Sequence, residues 1–302
     1  MAIIEVSDLV KRYGEHAAVD GVSFTVERGE IFGILGPNGA GKTTTVECIE
    51  GLRSPDGGTI RVCDIDPQHD DGRLKELLGA QLQESELPEK LRVREAMELF
   101  SSFYREPADW RTLIDTLGLS DKVDSRFGKL SGGQKQRLSI ALALLGNPRV
   151  AVLDELTTGL DPQARRDTWN LIEAVRDRGV TIVLVTHFMA EAERLCDRIA
   201  VIDAGRIVAV DSPAGLVSAV DGSQRIRFRP SAPLDHAVLT ALPEVSAVER
   251  AGAQLVVTGS GNLLHAVTSV LARNQIVAAD LRMEQTTLDD AFVALTGRSI
   301  DH

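Results

Sequence analysis

The sequence predicts an α/β protein with a mostly parallel sheet, followed by a small α+β unit. Short apolar segments that read as strands recur at residues 150–153, 181–185 and 198–202, and helices or turns separate them. Parallel strands covered on both faces have this near-continuous apolar character. After about residue 219 the pattern becomes strand-helix-strand-strand-helix-strand, which is a ferredoxin-like order. We therefore expect one domain over residues 1–219 and another over residues 220–302.

Composition and charge narrow the class of protein. The chain has 302 residues, an apolar content of 43% and a formal net charge of −11. This acidic balance argues against a sequence-independent grip on nucleic acid and against direct attraction to anionic lipid. No apolar run approaches the ~18 residues that a transmembrane helix needs, and the start does not resemble a signal peptide. The three widely spaced cysteines are typical of reduced thiols in a cytosolic protein.

The first part of the chain predicts an antiparallel subdomain. Apolar and polar residues alternate over residues 1–28, with a turn near residues 13–15. This alternation is typical of short strands that bury one face. A turn over residues 54–58 precedes another strand at residues 59–62.

A glycine-rich loop at residues 36–43 is the most informative segment of the chain. It fits the pattern G-x-x-x-x-G-K-[ST] and lies between an apolar strand at residues 30–35 and a segment that can start a helix. Its glycines allow close backbone approach to phosphate, and the helix adds its positive end. Lys42 would reach the β- and γ-phosphates of a nucleotide, and the Thr43 hydroxyl would hold Mg²⁺. The loop residues are Gly36, Pro37, Asn38, Gly39, Ala40, Gly41, Lys42 and Thr43.

Tyr13 is the only aromatic residue in the first turn. In a nucleotide-binding protein it could stack on adenine. The alternative is a tyrosine that packs beneath the hairpin.

Residues 84–145 predict a helical insert between strands of the sheet. A strand over residues 77–83 ends in Gln83, and apolar residues then recur at helical spacing from Leu91 to Phe103. Residues 109–117 and 135–145 also read as helices. An amide at Gln83 can contact Mg²⁺ or water and transmit that contact to the insert.

Two carboxylates follow the apolar strand at residues 150–153. Asp154 suits Mg²⁺, directly or through water, and Glu155 can orient or polarise an attacking water. A solvated Asp-Glu loop is the alternative, which the preceding apolar run disfavours. His187 ends the strand at residues 181–185, and its neighbours favour a role at the γ-phosphate over a purely structural one.

A second anion site is predicted at residues 130–134. Ser131 is a good helix N-cap, and Gly132, Gly133 and Gln134 follow it. Two phosphate-type sites in one chain make sense if the second serves the nucleotide of another molecule.

Taken together, these segments resemble the ATP-binding subunit of an ABC transporter. Residues 36–43 match its Walker A loop, residues 130–134 its signature motif and residues 150–155 its Walker B strand. Gln83, Asp161 and His187 match its Q-, D- and H-loops, and Tyr13 matches its adenine-stacking aromatic. The resemblance covers roughly residues 3–215, with seven motifs in family order. It implies the fold of a P-loop NTPase cassette with a parallel core, an antiparallel β subdomain and a helical subdomain.

The resemblance also implies an ATPase that works as a head-to-tail homodimer with ATP and Mg²⁺. Lys42, Thr43 and Thr44 would hold phosphate and metal, with Asp154 and Gln83 completing the metal site. Glu155 and His187 would act at the water and the γ-phosphate. The signature residues Ser131, Gly132, Gly133 and Gln134, together with Asp161, would complete the nucleotide site, the signature acting across the dimer.

The same family relation implies a separate membrane permease that holds this chain at the cytoplasmic side of the membrane. The C-terminal segment at residues 286–292 is similar to daunorubicin-resistance-type exporter ATPases, which favours export of a drug, antibiotic or lipid-like substrate. The alternatives are an importer ATPase and a soluble ABC ATPase acting on ribosomes or DNA. The single Walker A loop, the absence of sustained heptads and the acidic charge disfavour the soluble class.

One position departs from the family pattern. Leu156 stands where the family usually has proline. Leucine does not fix φ as proline does, so we expect a less constrained loop after Glu155.

In the C-terminal unit, Arg225, Arg227 and Arg229 alternate along one strand, which indicates a solvated face or a site for an anionic partner.

Overall fold

The computed structural model describes residues 1–81, 87–220, 224–284 and 286–297. Within these residues the chain forms two compact units, the first running from Met1 to Pro213 and the second beginning at Ala214. The division expected at residues 219 and 220 stays a prediction, because contact density does not show which part folds independently.

An antiparallel sheet in the first unit confirms the alternation near the N-terminus. Strands β1 (Ala2–Tyr13) and β2 (His16–Glu27) form a hairpin. The sheet order is β2-β1-β4, where β4 is Gly57–Val62, and β3 (Ile31–Leu35) belongs to the neighbouring sheet. Ile4, Val6 and Leu9 are buried on one face of β1, so the alternating apolar residues do form a core face.

The second sheet of this unit is mostly parallel. Its strands are β5 (Leu78–Gln81), β6 (Val150–Asp154), β7 (Thr181–Thr186), β8 (Arg198–Asp203) and β9 (Arg206–Asp211), together with β3. The order is β5-β6-β7-β3-β8-β9, and only the β8–β9 pair is antiparallel. Every residue of β3, β6 and β7 is buried, as the continuous apolar runs predict. Because β6, β7 and β3 are parallel neighbours, their carboxyl ends meet at one edge.

Helices surround this sheet. They are α1 (Lys42–Ile49), α2 (Asp71–Leu77), α3 (Val93–Ser101), α4 (Trp110–Thr116), α5 (Gly132–Leu144), α6 (Pro162–Asp177) and α7 (Met189–Leu195). Helix α5 packs on α3 and α4, which form the predicted helical insert, and also on β5 and α6. The α6 helix ends before Gly179, whose φ of 92° gives the left-handed turn that commonly follows a helix.

One predicted strand begins too early. The sequence pattern places a strand at residues 77–83, but Leu77 is the last residue of α2 and β5 starts at Leu78. The helix forms here because the Asp70 side chain accepts a hydrogen bond from the Arg73 N–H and caps it. Gln83, the predicted end of that strand, lies outside the described residues.

The second unit has the predicted order of strands and helices. After α8 (Pro213–Ala219) come β10 (Gln224–Pro230), α9 (His236–Thr240), β11 (Val245–Ala251), β12 (Gln254–Gly259), α10 (Leu263–Arg273), β13 (Ala278–Glu284) and α11 (Leu288–Thr296). The antiparallel sheet has the order β11-β12-β10-β13. With the first and third strands of the motif side by side in the centre, this is a ferredoxin-like arrangement.

The arginines of β10 point away from the core of this unit. Ile226 and Phe228, which alternate with them, are fully buried. Arg229 pairs with Asp280 at 2.8 Å, so part of the positive charge on this face is balanced locally. This face is not uniformly solvated, because Arg227 is only partly exposed and its Nε atom is buried, so both predicted uses of the face stay predictions.

Candidate nucleotide-binding site

The phosphate loop joins β3 to α1. At two of its glycines, neighbouring backbone atoms leave no room for a side chain. A Cβ at Gly36 would lie 2.2 Å from the carbonyl oxygen of Ile202, and one at Gly41 would lie 2.2 Å from that of Ala18. Gly39 and Gly41 also have φ values of 78° and 99°. Glycine is therefore needed at Gly36 because a neighbouring carbonyl oxygen lies too close for a Cβ atom. At Gly41 it is needed for the same reason and also because φ is positive.

Lys42 begins α1 and folds back over the loop. Its Nζ donates hydrogen bonds to the carbonyl oxygens of Gly36, at 2.8 Å, and Pro37, at 3.0 Å. Burial lowers the pKa of this ammonium, and the nearby carboxylates of Glu155 and Asp154 oppose that effect. The loop thus carries a buried cation next to backbone N–H groups, which is an environment that attracts phosphate.

The other loop residues differ in their access to solvent. Asn38, Gly39 and Thr43 are exposed, while Thr44 is half-buried and Ala40 is buried. The hydroxyl of Thr43, in the first turn of α1, is thus accessible to a ligand that approaches the loop.

Asp154 ends β6 at the same edge of the sheet. The side chain is buried, and its Oδ1 atom has no hydrogen-bond partner among the described residues. Burial and the neighbouring charge of Glu155 raise the pKa of this carboxyl to about 6, while Lys42 acts in the opposite direction. A buried carboxylate oxygen without a donor is suited to a cation.

Protein side chains alone do not complete a metal site here. Within the described ranges, no group of three or more His, Cys, Asp or Glu residues is arranged to hold a metal ion. Mg²⁺ is usually bound through one or two carboxylates, with water and substrate phosphates supplying the other oxygens. Asp154 and the Thr43 hydroxyl are the residues that would hold it.

Glu155 and His187 meet beside Asp154. His187 Nδ1 lies 3.2 Å from Glu155 Oε1, and each side chain is about one-fifth exposed. Glu155 has a φ of 47°, and its N–H donates to the carbonyl oxygen of Val185. A left-handed backbone at a residue other than glycine is strained and is held here by the neighbouring strand. The sequence-predicted pair is therefore adjacent in space, although 32 positions separate its members.

Leu156 is anchored by packing where the family has proline. Both Leu156 and Thr157 are fully buried directly after Glu155. The expected lack of constraint in this loop is thus offset by burial, because the packed side chains restrict the backbone even though leucine does not fix φ.

The signature segment caps α5. Ser131 Oγ accepts a hydrogen bond from the Gln134 N–H at 3.3 Å, and Gln134 Oε1 accepts one from the Ser131 N–H at 3.0 Å. Ser131 and Gly132 are exposed, while Gly133 faces Ala164 of α6 closely enough that a Cβ would lie 3.3 Å from its methyl carbon. The segment is a capping box with an accessible helix N-terminus.

Asp161 caps α6 in a similar way. Its Oδ1 accepts hydrogen bonds from the N–H groups of Gln163, at 2.9 Å, and Ala164, at 3.0 Å, which hold the pKa of the carboxyl below its ordinary value. This local role accounts for the aspartate without a ligand. Its contact with nucleotide, like that of Gln83, stays a prediction.

Tyr13 lies at the end of β1 with its ring 44% exposed. The guanidinium carbon of Arg53 is 5.2 Å from the ring centroid, and Lys11 Nζ is 6.0 Å from it. Arg53 also pairs with Glu47 of α1. The ring is therefore oriented from the Walker A helix and accessible, rather than packed beneath the hairpin.

An ionisable residue near this site, Glu50, has no predicted role in the sequence. Burial, Asp154 and Glu47 raise the pKa of Glu50, at the end of α1, to about 8. The only sequence signal was a carboxylate at the C-terminal end of a helix, where the macrodipole disfavours negative charge.

Comparison with known proteins agrees with this arrangement. Residues 19–158 match the family model described as ABC transporter. A Nod factor export ATP-binding protein I from Paraburkholderia xenovorans is 40% identical over 99% of this chain and 98% of its own length. Another protein of that name, from Rhizobium meliloti, is 38% identical over 98% of this chain and 89% of its own length.

Solved structures show the same fold. CbiO1 from Clostridium perfringens, part of an ABC transporter complex, is 28% identical and matches with a TM-score of 0.66 over 72% of this chain and 91% of its own. An ATP-binding cassette solved as a dimer in a post-hydrolysis state with ADP and Pi is 25% identical and matches with a TM-score of 0.61 over 69% of this chain and 98% of its own.

The fold and site define a P-loop ATPase of the cassette type. The chain belongs to the ABC transporter family and is its ATP-binding, ATP-hydrolysing subunit. Among the described helices, none has the length and apolar character to cross a bilayer.

Proposed function

We propose that this chain energises export through a separate membrane permease by binding and hydrolysing ATP·Mg²⁺ as a head-to-tail homodimer. The observation that carries the hydrolytic part is the meeting of four groups at one sheet edge: the Walker A loop, Asp154, Glu155 and His187. The curated relatives described above are named export proteins, and this supports export over import.

Each residue at this edge has a distinct task. Lys42, already lodged in the loop, would exchange its carbonyl contacts for the β- and γ-phosphate oxygens. Glu155 would orient the attacking water, and His187, within reach of that carboxylate, would hold the γ-phosphate side of the site. Transfer of a phosphoryl group asks mainly for positioning and charge stabilisation, which these groups supply.

Mg²⁺ would be held by Asp154 and the Thr43 hydroxyl, with Thr44 beside them. The ion would neutralise charge that develops on the β- and γ-phosphates. The unpartnered Oδ1 of Asp154 supports this assignment.

Two anion-binding helix starts support the head-to-tail dimer that the family relation implies. The Walker A loop precedes α1, while the exposed N-terminus of α5 carries Ser131 and Gly132. Placing that second N-terminus on the γ-phosphate of a partner copy would give each ATP two positive helix ends. The solved dimer of a related cassette supports such pairing.

The permease would dock between the core sheet and the helical insert. A mostly polar cavity of about 490 Å³ lies there, and its lining residues are Glu76, Leu77, Tyr104, Arg105, Glu106, Gly146 and Asn147. Phe103 on the insert is 67% exposed. An apolar cytoplasmic segment of the permease would cover such a side chain and hold the subunit at the membrane.

The soluble alternative, an ABC ATPase acting on ribosomes or DNA, is disfavoured by charge. A net charge of −11 opposes binding to a polyanion, so we propose no nucleic-acid partner. Export and import differ in the partners that assemble with the permease, and co-purification of this chain with its permease separates them.

Glu155→Gln tests the hydrolytic site and the dimer together. Turnover should fall by about a hundredfold or more, because the water loses its orienting carboxylate, while ATP affinity should persist. With ATP and Mg²⁺ this variant should elute as a dimer in size-exclusion chromatography, and adding Ser131→Arg should abolish the shift.

Glu98→Gln is the matched control, since Glu98 is exposed on α3, away from the sheet edge. It should leave turnover unchanged. Near-normal phosphate release from Glu155→Gln would remove Glu155 from catalysis, and an ATP-dependent dimer that survives Ser131→Arg would exclude the head-to-tail arrangement.

A further inference from the structure

The segment around His187 is held by contacts that the proposed chemistry does not use. Phe188, the next residue, precedes α7, and its N–H donates to Thr186 Oγ1 at 3.0 Å. The rings of His187 and Phe188 lie 4.1 Å apart. The orientation of the imidazole is therefore tied to the start of α7.

Glu191 on α7 has a carboxyl group buried completely inside the first unit. Its Oε1 accepts a hydrogen bond from Trp169 Nε1 at 3.1 Å. Burial raises the pKa of this carboxyl, while the hydroxyls of Thr186 and Thr157, the Trp169 N–H and the charge of Arg165 act in the opposite direction. The carboxyl thus faces polar groups from three segments of the chain besides its own helix.

Those segments belong to the catalytic edge. Thr157 is two residues beyond Glu155, and Thr186 directly precedes His187. Thr157 Oγ1 and Glu191 Oε2 are both buried and neither has a hydrogen-bond partner among the described residues, while the Thr157 hydroxyl is near enough to lower the pKa of the carboxyl. One carboxyl therefore stands between the loops that carry the two proposed γ-phosphate residues.

Helix α6 supplies the remaining contacts. Besides Trp169, it contributes Arg165, whose guanidinium carbon lies 4.8 Å from the centroid of the Phe188 ring. This helix starts immediately after Asp161. It contacts the start of α7 at two points, at the N-cap residue Phe188 and at Glu191 in the first turn.

A carboxyl group in this part of the core is energetically unfavourable compared with an apolar side chain. Burying an ionisable group costs free energy that burying an apolar side chain of similar size does not. A carboxyl in this core therefore indicates that its polar contacts are needed. Of these contacts, those to Thr157 and Thr186 lead to the segments that carry Glu155 and His187, and those to Trp169 and Arg165 lead to α6.

We propose that Glu191 is a positioning residue that keeps His187 against Glu155 by joining α7 to α6, Thr157 and Thr186. The proposal rests on the role proposed for His187. Glu191 does not touch substrate; it acts by limiting the movement of the imidazole. A small displacement of a catalytic group lowers the rate of the chemical step without changing ATP binding.

The test compares two substitutions in the full-length protein. Glu191→Met removes both oxygens and should lower kcat by about tenfold to a hundredfold at unchanged KM for ATP. Glu191→Gln keeps an acceptor for Trp169 and a polar partner for Thr157, so kcat should stay within about threefold of the wild type. Glu193→Met, on the exposed side of the same helix, is the matched control and should be silent.

A second readout separates positioning from general destabilisation. The NMR signal of the His187 imidazole can be assigned by its loss in His187→Ala. Its chemical shift should change in Glu191→Met but not in Glu191→Gln or Glu193→Met. A fall in kcat with an unmoved His187 signal would overturn the proposal, and so would wild-type kcat in Glu191→Met.

Two further variants keep the test decisive. If Glu191→Met does not fold, Trp169→Phe removes the N–H donor together with part of the indole ring, and it should shift the His187 signal and lower kcat by several-fold; no change in either would refute positioning. If His187→Ala itself retains wild-type turnover, the role of His187 in the proposed function fails, whereas an inactive His187→Ala with a fully active Glu191→Met contradicts only the present inference.

Discussion

At the scale of single residues, the distance from each loop glycine to the backbone of neighbouring segments decides whether another residue can replace it. Gly36 and Gly41 face carbonyl oxygens of other segments at distances that exclude a Cβ. A Cβ at Gly39, by contrast, would meet nothing within 4 Å, and only its positive φ disfavours a side chain. The requirement at Gly36 and Gly41 is therefore set by Ile202 and Ala18, which are distant in sequence.

Tyr13 gives a prediction at the same scale. Because the ring is accessible and oriented by Arg53, Tyr13→Ala should weaken ATP binding by about 1–3 kcal/mol, the range for loss of an aromatic that stacks on a base. Tyr13→Trp should largely preserve affinity, as measured by titration with a fluorescent ATP analogue. Equal affinity of the three proteins would show that Tyr13 does not stack on adenine.

At the scale of elements, the carboxyl ends of three strands and the first turns of the following helices make the site. Strand β3 leads to Lys42, β6 to Asp154 and Glu155, and β7 to His187. The same edge also concentrates carboxylates, and the pKa values of Asp154 and Glu50 are raised to about 6 and about 8. A carboxyl that stays protonated in the folded chain but ionises in the unfolded chain makes stability fall as pH rises.

Glu50, at the end of α1, allows a test of that linkage. Its folded pKa of about 8 exceeds the ordinary 4.5, so its favourable contribution is full below pH 4.5 and is lost as the pH rises toward 8. Glu50→Gln should therefore raise the melting temperature at pH 8 by about 3–6 °C, for about 1–2 kcal/mol, but by little at pH 5.

Thermal melts without nucleotide and metal at the two pH values measure this difference. Glu98→Gln, at an exposed position, should show no pH-dependent gain. An equal effect of Glu50→Gln at both pH values would mean that Glu50 ionises normally in the folded protein.

At the scale of the whole molecule, the chain has a cassette unit and a second unit with its own core. Ile226, Phe228, Leu239 and Val257 belong to a separate cluster of buried residues within the second unit. The nucleotide motifs all lie in the first unit. A small unit with its own core and no nucleotide chemistry is suited to act through contacts with partners.

Truncation tests this division. A chain ending at Val220 should remain soluble and bind ATP and Mg²⁺ with near-native affinity, because it keeps every nucleotide motif. A shorter chain ending at Pro213, where the first compact unit ends, should behave in the same way if α8 is not needed. Titration calorimetry and thermal melts make the comparison. Recovery only as aggregate, or a much lower melting temperature, would show that the cassette depends on the second unit.

Local sequence patterns were sufficient for much of this protein. The glycine loop and the N-cap at Ser131 depend on residues within a few positions of one another, so their chemistry can be read from the chain. The apolar runs likewise identified β3, β6 and β7 as buried strands. The start of β5 was misplaced because Leu77, interpreted as the first residue of the strand, is the last residue of α2.

The sequence determined which groups could do the chemistry, whereas the tertiary structure decided which of them meet. Lys42, Asp154 and His187 come together only because β3, β7 and β6 are neighbours in one parallel sheet, and strand order depends on pairing between distant segments. The burial of Glu191, and with it the link from α6 to His187, has the same origin. A side chain's surroundings in a packed core are set by the whole fold rather than by its neighbours along the chain.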